Sequence, residues 1–535
     1  MQGLIELTPA GSGSRMRASF RVALAAGFTS EASVRTRSIT AAVAVREPRG
    51  PARFKGTATR LALTLLLAGC QPGIEAANRV PAADQSSAAT IVRAIANDLL
   101  TVAQLPGLSI AVSHHGERVF AEGFGYADIE ARRPVTTGTR FRAASVSKVI
   151  TATGVARLIQ DGRLDLDTPI QTYVPAFPAK AWPITARQLA GHLSGLPHYS
   201  AADRIEPRFY PTLADALGVF SHVELLSEPG TAYSYSTHGF TLLSAVVEGA
   251  AGLPFLEFMK TAVFDPLRMS ATGPDLRTGS VDMKAALYQF TTGVLAPVAN
   301  PEDPSYKWGG GGMVTTPSDL LRLTGAYMGG MLRPDVVALM FTGQRLRSGT
   351  ETGVGIAWRN SWDMDGRRVI EHAGSMEGAR SVISLFPDDS LALSIMTNRM
   401  WNSAIEETAH LLALPFLTEP APVAQPSGTA TGTVTLRNAR GQETQLDGTL
   451  TLSAGRGELI IGVGTANAIP CRLVYLERGN RFALIRPDGV LHMTLEFVDG
   501  RVMGRATGYG SPQLRPPAEN QPALVFEAAF REAGA

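Results

Sequence analysis

In AATIVRAIANDLLTVAQL, apolar residues at Ile91, Ile95, Leu99 and Leu100 recur at helical spacing and predict an amphipathic helix. The next stretch, LSIAVSHHGERVFAEGFGYAD, alternates apolar and polar residues about a His-His-Gly-Glu turn, the pattern of an antiparallel hairpin. His114 and His115 read as turn residues rather than ligands, because no third ligand lies near them. From Ser147 to Gln160, Ile150, Val155 and Ile159 with small alanines between them suit a buried helix stopped by Asp161-Gly162, with Ser145 at its first turn. Further helices are expected at TLLSAVVEGAAG and TPSDLLRLTGAYMGG, and RSVISLFPDDSLALSIMTN reads as two strands joined by a Pro-Asp-Asp turn. Strands at both ends with helices between them predict a mixed α/β domain whose first and last strands share one sheet.

A proline-rich segment, PFLTEPAPVAQPSG, marks a linker over residues 416–428. Beyond it, TGTVTLRN, TLTLSA, RFALIRP and HMTLEFV are short alternating runs separated by Asp-Gly or Gly-Asn turns. They predict a small all-β C-terminal domain over 429–535, a sandwich or a barrel, with no catalytic constellation of its own. Cys471, in IPCRLVYL, reads as a buried small hydrophobe.

At 535 residues and 45% hydrophobic content the chain can bury a large core in two or more units, which excludes a chain disordered throughout. The formal charge of +2 is unevenly spread: 10 Lys/Arg and 3 Asp/Glu precede Cys70, leaving 39 − 44 = −5 from there on. A mildly acidic body argues against nucleic acid as a partner, since phosphate binding needs clustered positive charge. Two cysteines make no disulfide framework, and the lack of CxxC and HExxH patterns argues against zinc chemistry.

In RFKGTATRLALTLLLAGC, over 53–70, Arg53, Lys55 and Arg60 precede a short apolar run, the layout of a secretory signal. Its ending LAGC resembles a bacterial lipobox, which implies cleavage before Cys70 and lipid attachment to its sulfur. A periplasmic lipoprotein held at the membrane through Cys70 is the expectation; an ordinary signal peptide with an incidental cysteine is the alternative. Residues 71–87 read as a polar tether. Residues 1–52 are Arg-, Ser- and Ala-rich without periodicity, so a translation start placed too far upstream, with Met16 or a later codon as the beginning, competes with a transit-type peptide.

Three short stretches carry candidate chemistry. In FRAASVSK, Ser145 and Lys148 stand three apart on a predicted helix and so share a face. A serine hydroxyl is a poor nucleophile until a base takes its proton, and a lysine among apolar groups such as Val149 and Ile150 loses enough basicity to help. In PGTAYSYSTHGF, Tyr235 is a candidate proton shuttle whose ionisation a neighbouring ammonium would favour, with Tyr233 the competing candidate. In IEHAGSMEGARSVISLF, Gly374 would admit a substrate close to the backbone, Ser375 N–H could serve an oxyanion, and His372 could meet the substrate or the lysine-tyrosine network. Arg277-Thr278-Gly279-Ser280 offers a similar outline but lies in a polar loop without strand periodicity. Gly309 to Gly312 lacks the Gly-Lys-Ser/Thr of a phosphate loop and reads as a tight turn near the site. His192 and His198 flank a Ser-Gly-Leu-Pro turn and read as structural, and no G-x-S-x-G elbow is present.

FRAASVSK, YSYSTHG and HAGS, in this order, resemble the three motifs of the serine β-lactamase and penicillin-binding-protein superfamily. The resemblance is strongest to the branch of class C β-lactamases, D,D-peptidases and family VIII esterases, some of which carry histidine in the third motif. DGRLDLDTPIQTYVP, ITARQLAGHLSGLPHY and GGGGMVTTPSDLLRL resemble other segments of that branch. HLSGLPHY, YSTHG and SYKWGGGG further resemble the mitochondrial β-lactamase-like serine protease and its bacterial relatives. The resemblance covers 88–415 and implies an antiparallel sheet flanked by helices beside a helical region. It makes Ser145 the acylated nucleophile, Lys148 its base or relay, and Tyr235 the acid/base. It forms the oxyanion hole from the N–H groups of Ser145 and Ser375, and places Thr237, His372 and Gly374 against substrate. Thr237 is a departure, standing where the wider family has asparagine, and it weakens the case for strong β-lactamase activity.

The function expected is therefore a serine hydrolase working through an acyl-enzyme on an amide or ester of a small molecule or peptide, with no metal or organic cofactor implied. The alternatives are a non-catalytic binder of peptidoglycan or peptide, or a scaffold protein, on the same fold. The pocket walls that separate esterase, peptidase and weak β-lactamase, and the oligomeric state, are not written in these motifs.

Overall fold

The structure, a computed structural model, describes residues 87–200, 208–277, 283–291, 293–401, 405–417, 426–438, 440–476, 479–508 and 523–532. All belong to one compact unit, Gly73–Ala535. The N-terminal extension, the signal with Cys70, nearly all of the tether, Thr278 to Ser280 and most of the proline-rich linker lie outside the described residues.

Helix α1, Ser87–Val102, buries Ile91, Ile95 and Leu99 as its periodicity predicts, together with Val92, while Leu100 is only partly buried. Strands β1, Gly107–His114, and β2, Glu117–Asp128, form the expected hairpin, with His114 and His115 stacked at its turn. A two-residue strand β3, Arg133–Pro134, pairs with β2. Helix α2, Ser147–Gln160, ends where Gly162 takes up φ 67°. Helix α3, Thr237–Ala251, is capped by the Ser236 hydroxyl, which accepts the Gly239 N–H at 2.9 Å, and stops at Gly252, φ 62°. Helix α4, Pro317–Met328, starts from Thr316 with proline in its first turn.

Strands β4, Arg359–Trp362, β5, Arg368–Met376, β6, Ala379–Phe386, and β7, Leu391–Thr397, complete the sheet, and helix α5, Ile405–Leu417, follows. The order is β3-β2-β1-β7-β6-β5-β4, antiparallel at every pair. First and last strands do meet, Leu108 opposite Thr397 and Ile110 opposite Ile395. Both faces are covered, so alternation in these strands sorts residues between two cores rather than between core and water. Val369, Val382, Leu393 and Ile395 pack with α1 and α5, while Ile370, Ile383, Leu385 and Ala392 join the core of α2, α3 and α4.

Eight further strands close into a barrel in chain order: β8, Gly428–Arg437; β9, Glu443–Ser453; β10, Arg456–Ile461; β11, Ile469–Tyr475; β12, Arg481–Arg486; β13, Gly489–Val498; β14, Arg501–Thr507; β15, Leu524–Glu532. Closure by β8 on β15 removes both sheet edges. Leu450, Leu459, Leu473, Leu484, Met493 and Phe526 fill the interior with Cys471, whose thiol burial pushes up to about 12. Outward-facing Val474, Ala483, Ile485 and Val490 bury against α1 and α5, and Arg481 pairs with Asp365 at 2.6 Å in the β4–β5 turn.

Candidate active site

Ser145 occupies a single 3-10 turn, Ala144–Val146, that runs into α2, one step ahead of the helix proper. Ala144 has φ 48°, a conformation that costs an L-residue energy and is kept only where the surroundings impose it. Those surroundings are visible. Ala143 N–H donates to Met313 O at 2.8 Å, and Ala143 O accepts from the Ser381 hydroxyl at 2.6 Å, tying the turn to the short strand Met313–Thr315 and to β6.

Lys148 lies one turn on and is fully buried. Its Nζ donates to Gly310 O at 2.5 Å and to Thr237 Oγ1 at 3.1 Å, and stands 3.4 Å from Ser145 Oγ. Among the described residues none of its hydrogen bonds is to a carboxylate. Burial, then the charge of Arg359, holds its amine well below the usual 10.5. The glycine run is not a bare turn but a short helix, Trp308–Gly311. Gly310 must lack a side chain, since a Cβ there would come within 2.7 Å of Thr237 Cγ2.

Tyr235 places its ring 4.8 Å from Lys148 Nζ and 5.7 Å from the Arg359 guanidinium. Burial pushes this phenol up, and Arg359 and Ser145 only partly offset it. The expectation that a neighbouring ammonium would favour the phenolate is thus corrected: Lys148 lies over the ring, and desolvation dominates. Tyr233, the competing candidate, is 40% exposed. Two histidines read as structural hold this segment, because His192 Nδ1 accepts the Ser236 N–H at 3.1 Å and His198 Nδ1 the Thr237 N–H at 3.2 Å.

Across from the turn runs β5. A Cβ on Gly374 would stand 2.5 Å from Ala143 O and 3.0 Å from Ser145 N, so the strand meets the turn only as glycine. Ser375 is exposed beside it. Strand β4 pairs with β5 only from Arg368 to Glu371, so among the described residues the edge from His372 to Met376 has no strand beside it on that side. His372, expected against substrate, is fully buried, with Nδ1 2.7 Å from Ala373 O. The reason is its face, the one covered by the helical core, and burial with the Arg359 and Lys148 charges holds its pKa well below 6.5.

Sequence reasoning missed Arg359 and the cations around the nucleophilic turn. Arg359 stands 5.7 Å from the Tyr235 ring, and a lone arginine in GIAWRN has no spacing to announce it. Lys307, drawn down to about 8 mainly by burial, donates to Glu302 at 2.7 Å, and Arg142 meets Asp275 at 2.7 Å.

A helix-flanked antiparallel sheet, with a serine-lysine turn set against an open strand edge, defines a β-lactamase-like serine hydrolase fold. The chain belongs to the Beta-lactamase family, whose match spans residues 92–414. It is 27% identical over 430 residues to Serine beta-lactamase-like protein LACTB, mitochondrial, of Homo sapiens, covering 58% of this chain and 76% of that one. Esterase EstB of Burkholderia gladioli is 28% identical over 367 residues, covering 60% and 92%. Among solved structures, the octameric penicillin-binding protein homologue from Pyrococcus abyssi shares the fold, with TM-score 0.55 at 20% identity over 78% of this chain and 98% of that one. The D-amino acid amidase from Ochrobactrum anthropi SV3 superposes with TM-score 0.51 at 25% identity, covering 59% and 92%.

Proposed function

We propose that the protein hydrolyses an ester or amide through an acyl-enzyme on Ser145. Ser145 Oγ attacks the substrate carbonyl while its proton passes to the Lys148 amine, directly or through Tyr235. The N–H groups of Ser145 and Ser375 receive the oxyanion, and the Tyr235 phenol protonates the leaving group. Water then attacks the acyl-serine and the proton path runs in reverse, regenerating Ser145. The observation carrying this reading is Lys148, fully buried and 3.4 Å from Ser145 Oγ, with carbonyl and hydroxyl partners that leave its amine free to accept a proton.

Relatives with esterase, amidase and penicillin-binding names support a hydrolase of this breadth. The test is a panel of chromogenic esters, D-Ala-D-Ala peptides, nitrocefin and short L-peptides, each with wild type and Ser145→Ala. Turnover of at least one substrate by wild type alone is expected, and equal rates in both proteins would overturn the reading. The signal-like layout before Cys70 supports export and lipid anchoring at that residue. Cys70→Ser should then move the protein from the detergent phase to the aqueous phase, and an unchanged partition would refute the anchor.

A further inference from the structure

His192 carries two energetic costs at once. Buried just beyond the short helix Ala186–Ala190, it has φ 61°, a backbone that glycine adopts freely and other residues rarely. Its Nε2 is also buried, with no hydrogen-bond partner among the described residues. Glycine at this position would remove both costs, so the presence of histidine directs attention to what its ring touches.

Those contacts converge on Tyr235. The His192 carbonyl accepts the Ser234 N–H at 2.9 Å, and its Nδ1 accepts the Ser236 N–H at 3.1 Å. One residue thus holds the chain immediately before and immediately after the tyrosine. Its ring also lies 4.3 Å from the Tyr235 ring, and 5.3 Å from that of Phe240 in α3. Because Nδ1 accepts, the ring proton sits on Nε2 and the imidazole is neutral. Burial, then the Lys148 and Arg359 charges, hold its pKa well below 6.5 and preserve that state. His198, which takes the Thr237 N–H, is exposed and stands farther from the tyrosine ring, at 5.5 Å.

We propose that His192 is a positioning residue for Tyr235, clamping the backbone on both sides of it and backing its ring, so that the phenol meets the leaving group. This rests on the acyl-enzyme reading above, in which Tyr235 protonates that group. A displaced phenol then harms substrates in proportion to how much their leaving group needs a proton. An alkoxide needs one to depart, whereas p-nitrophenoxide leaves without help. A residue that merely supports the fold would lower both reactions alike.

The test is the ratio of kcat/KM for p-nitrophenyl butyrate to that for ethyl butyrate. Both give the same butyryl-enzyme, so the ratio reports acylation, and taking it within one preparation cancels partial misfolding. His192→Gly keeps the carbonyl, suits the left-handed backbone and removes the ring with its acceptor. It should raise the ratio by about tenfold or more, the worth of one buried hydrogen bond. His192→Asn, which tolerates this backbone and offers an oxygen near the Nδ1 position, should raise it less. In a Tyr235→Phe background, where the ratio is already raised, His192→Gly should change it by less than about twofold, because the two residues act as one unit. A ratio in His192→Gly equal to wild type, a rise in His192→Asn as large as in His192→Gly, or the same rise with and without the Tyr235 hydroxyl overturns the inference. In those cases a raised ratio in Tyr235→Phe leaves the acyl-enzyme reading standing. Hydrolysis of p-nitrophenyl butyrate that survives Ser145→Ala defeats both.

Discussion

The Thr237 hydroxyl lies 3.1 Å from Lys148 Nζ, so a threonine makes the contact for which the wider family uses asparagine. The lysine therefore keeps two polar partners besides Ser145, Thr237 and Gly310 O, which hold its amine near the nucleophile. Thr237→Val, which removes the hydroxyl at nearly constant volume, should lower ester kcat/KM by about tenfold, the worth of one buried hydrogen bond. An unchanged value would show that the contact does not position the amine.

Lys148→Ala and Tyr235→Phe should each reduce turnover by roughly 10²-fold or more, the scale of general acid-base catalysis. Wild-type rates in either variant would contradict its role.

The pH profile carries a sign. Burial and Arg359 lower the Lys148 pKa, so its neutral, proton-accepting form is populated at lower pH than in an ordinary lysine. Ester kcat/KM should rise with pH along a limb whose midpoint lies well below 10.5 and which disappears in Lys148→Met. A residual rate in that variant with the same limb would assign the titration elsewhere.

Gly374→Ala should fold and yet lose at least about 10²-fold in kcat, because its methyl group would press on Ala143 O and stand 3.0 Å from Ser145 N, where the oxyanion is to be received. Far-ultraviolet circular dichroism and ester kinetics on one sample check this, and near-normal kcat would remove Ser145 N–H from the oxyanion site.

Behind β5, His410 Nε2 lies 2.8 Å from Glu371 Oε2, and both side chains are buried. His410→Ala takes the cationic partner from that buried carboxylate, which keeps the Ser384 hydroxyl at 3.0 Å, and should cost about 3 kcal/mol in urea unfolding. Burial opposes charging of His410, but Glu371, with smaller contributions from Asp363 and Glu406, outweighs it and raises its pKa above 6.5. A raised folded-state pKa contributes stability that is full below about pH 6.5 and is lost as pH climbs through the folded value, so the gap between wild type and variant should narrow from pH 6 to pH 9. A gap that widens would reverse the assignment.

Local features were legible before any coordinates. Ser145 and Lys148 could be paired because three residues span most of a helical turn, and the two strands of RSVISLFPDDSLALSIMTN were legible from the turn between them. What escaped depends on distant pairing. Arg359 enters the site only once β4 lies beside β5, with Glu371 opposite it. His372 sits in a stretch buried on both faces, so alternation could not say which face met α2, α3 and α4 and which met α1 and α5. The choice between sandwich and barrel waited on Gly428 meeting Glu532, ends roughly a hundred residues apart with no local signal joining them.

Intact-mass spectrometry after treatment with a fluorophosphonate probe is the most direct measurement. Wild-type protein should gain one probe adduct, located by peptide mapping to Ser145, and Ser145→Ala should gain none. An adduct of equal yield on Ser145→Ala, or mapping to another serine in the wild type, would contradict covalent catalysis at this turn.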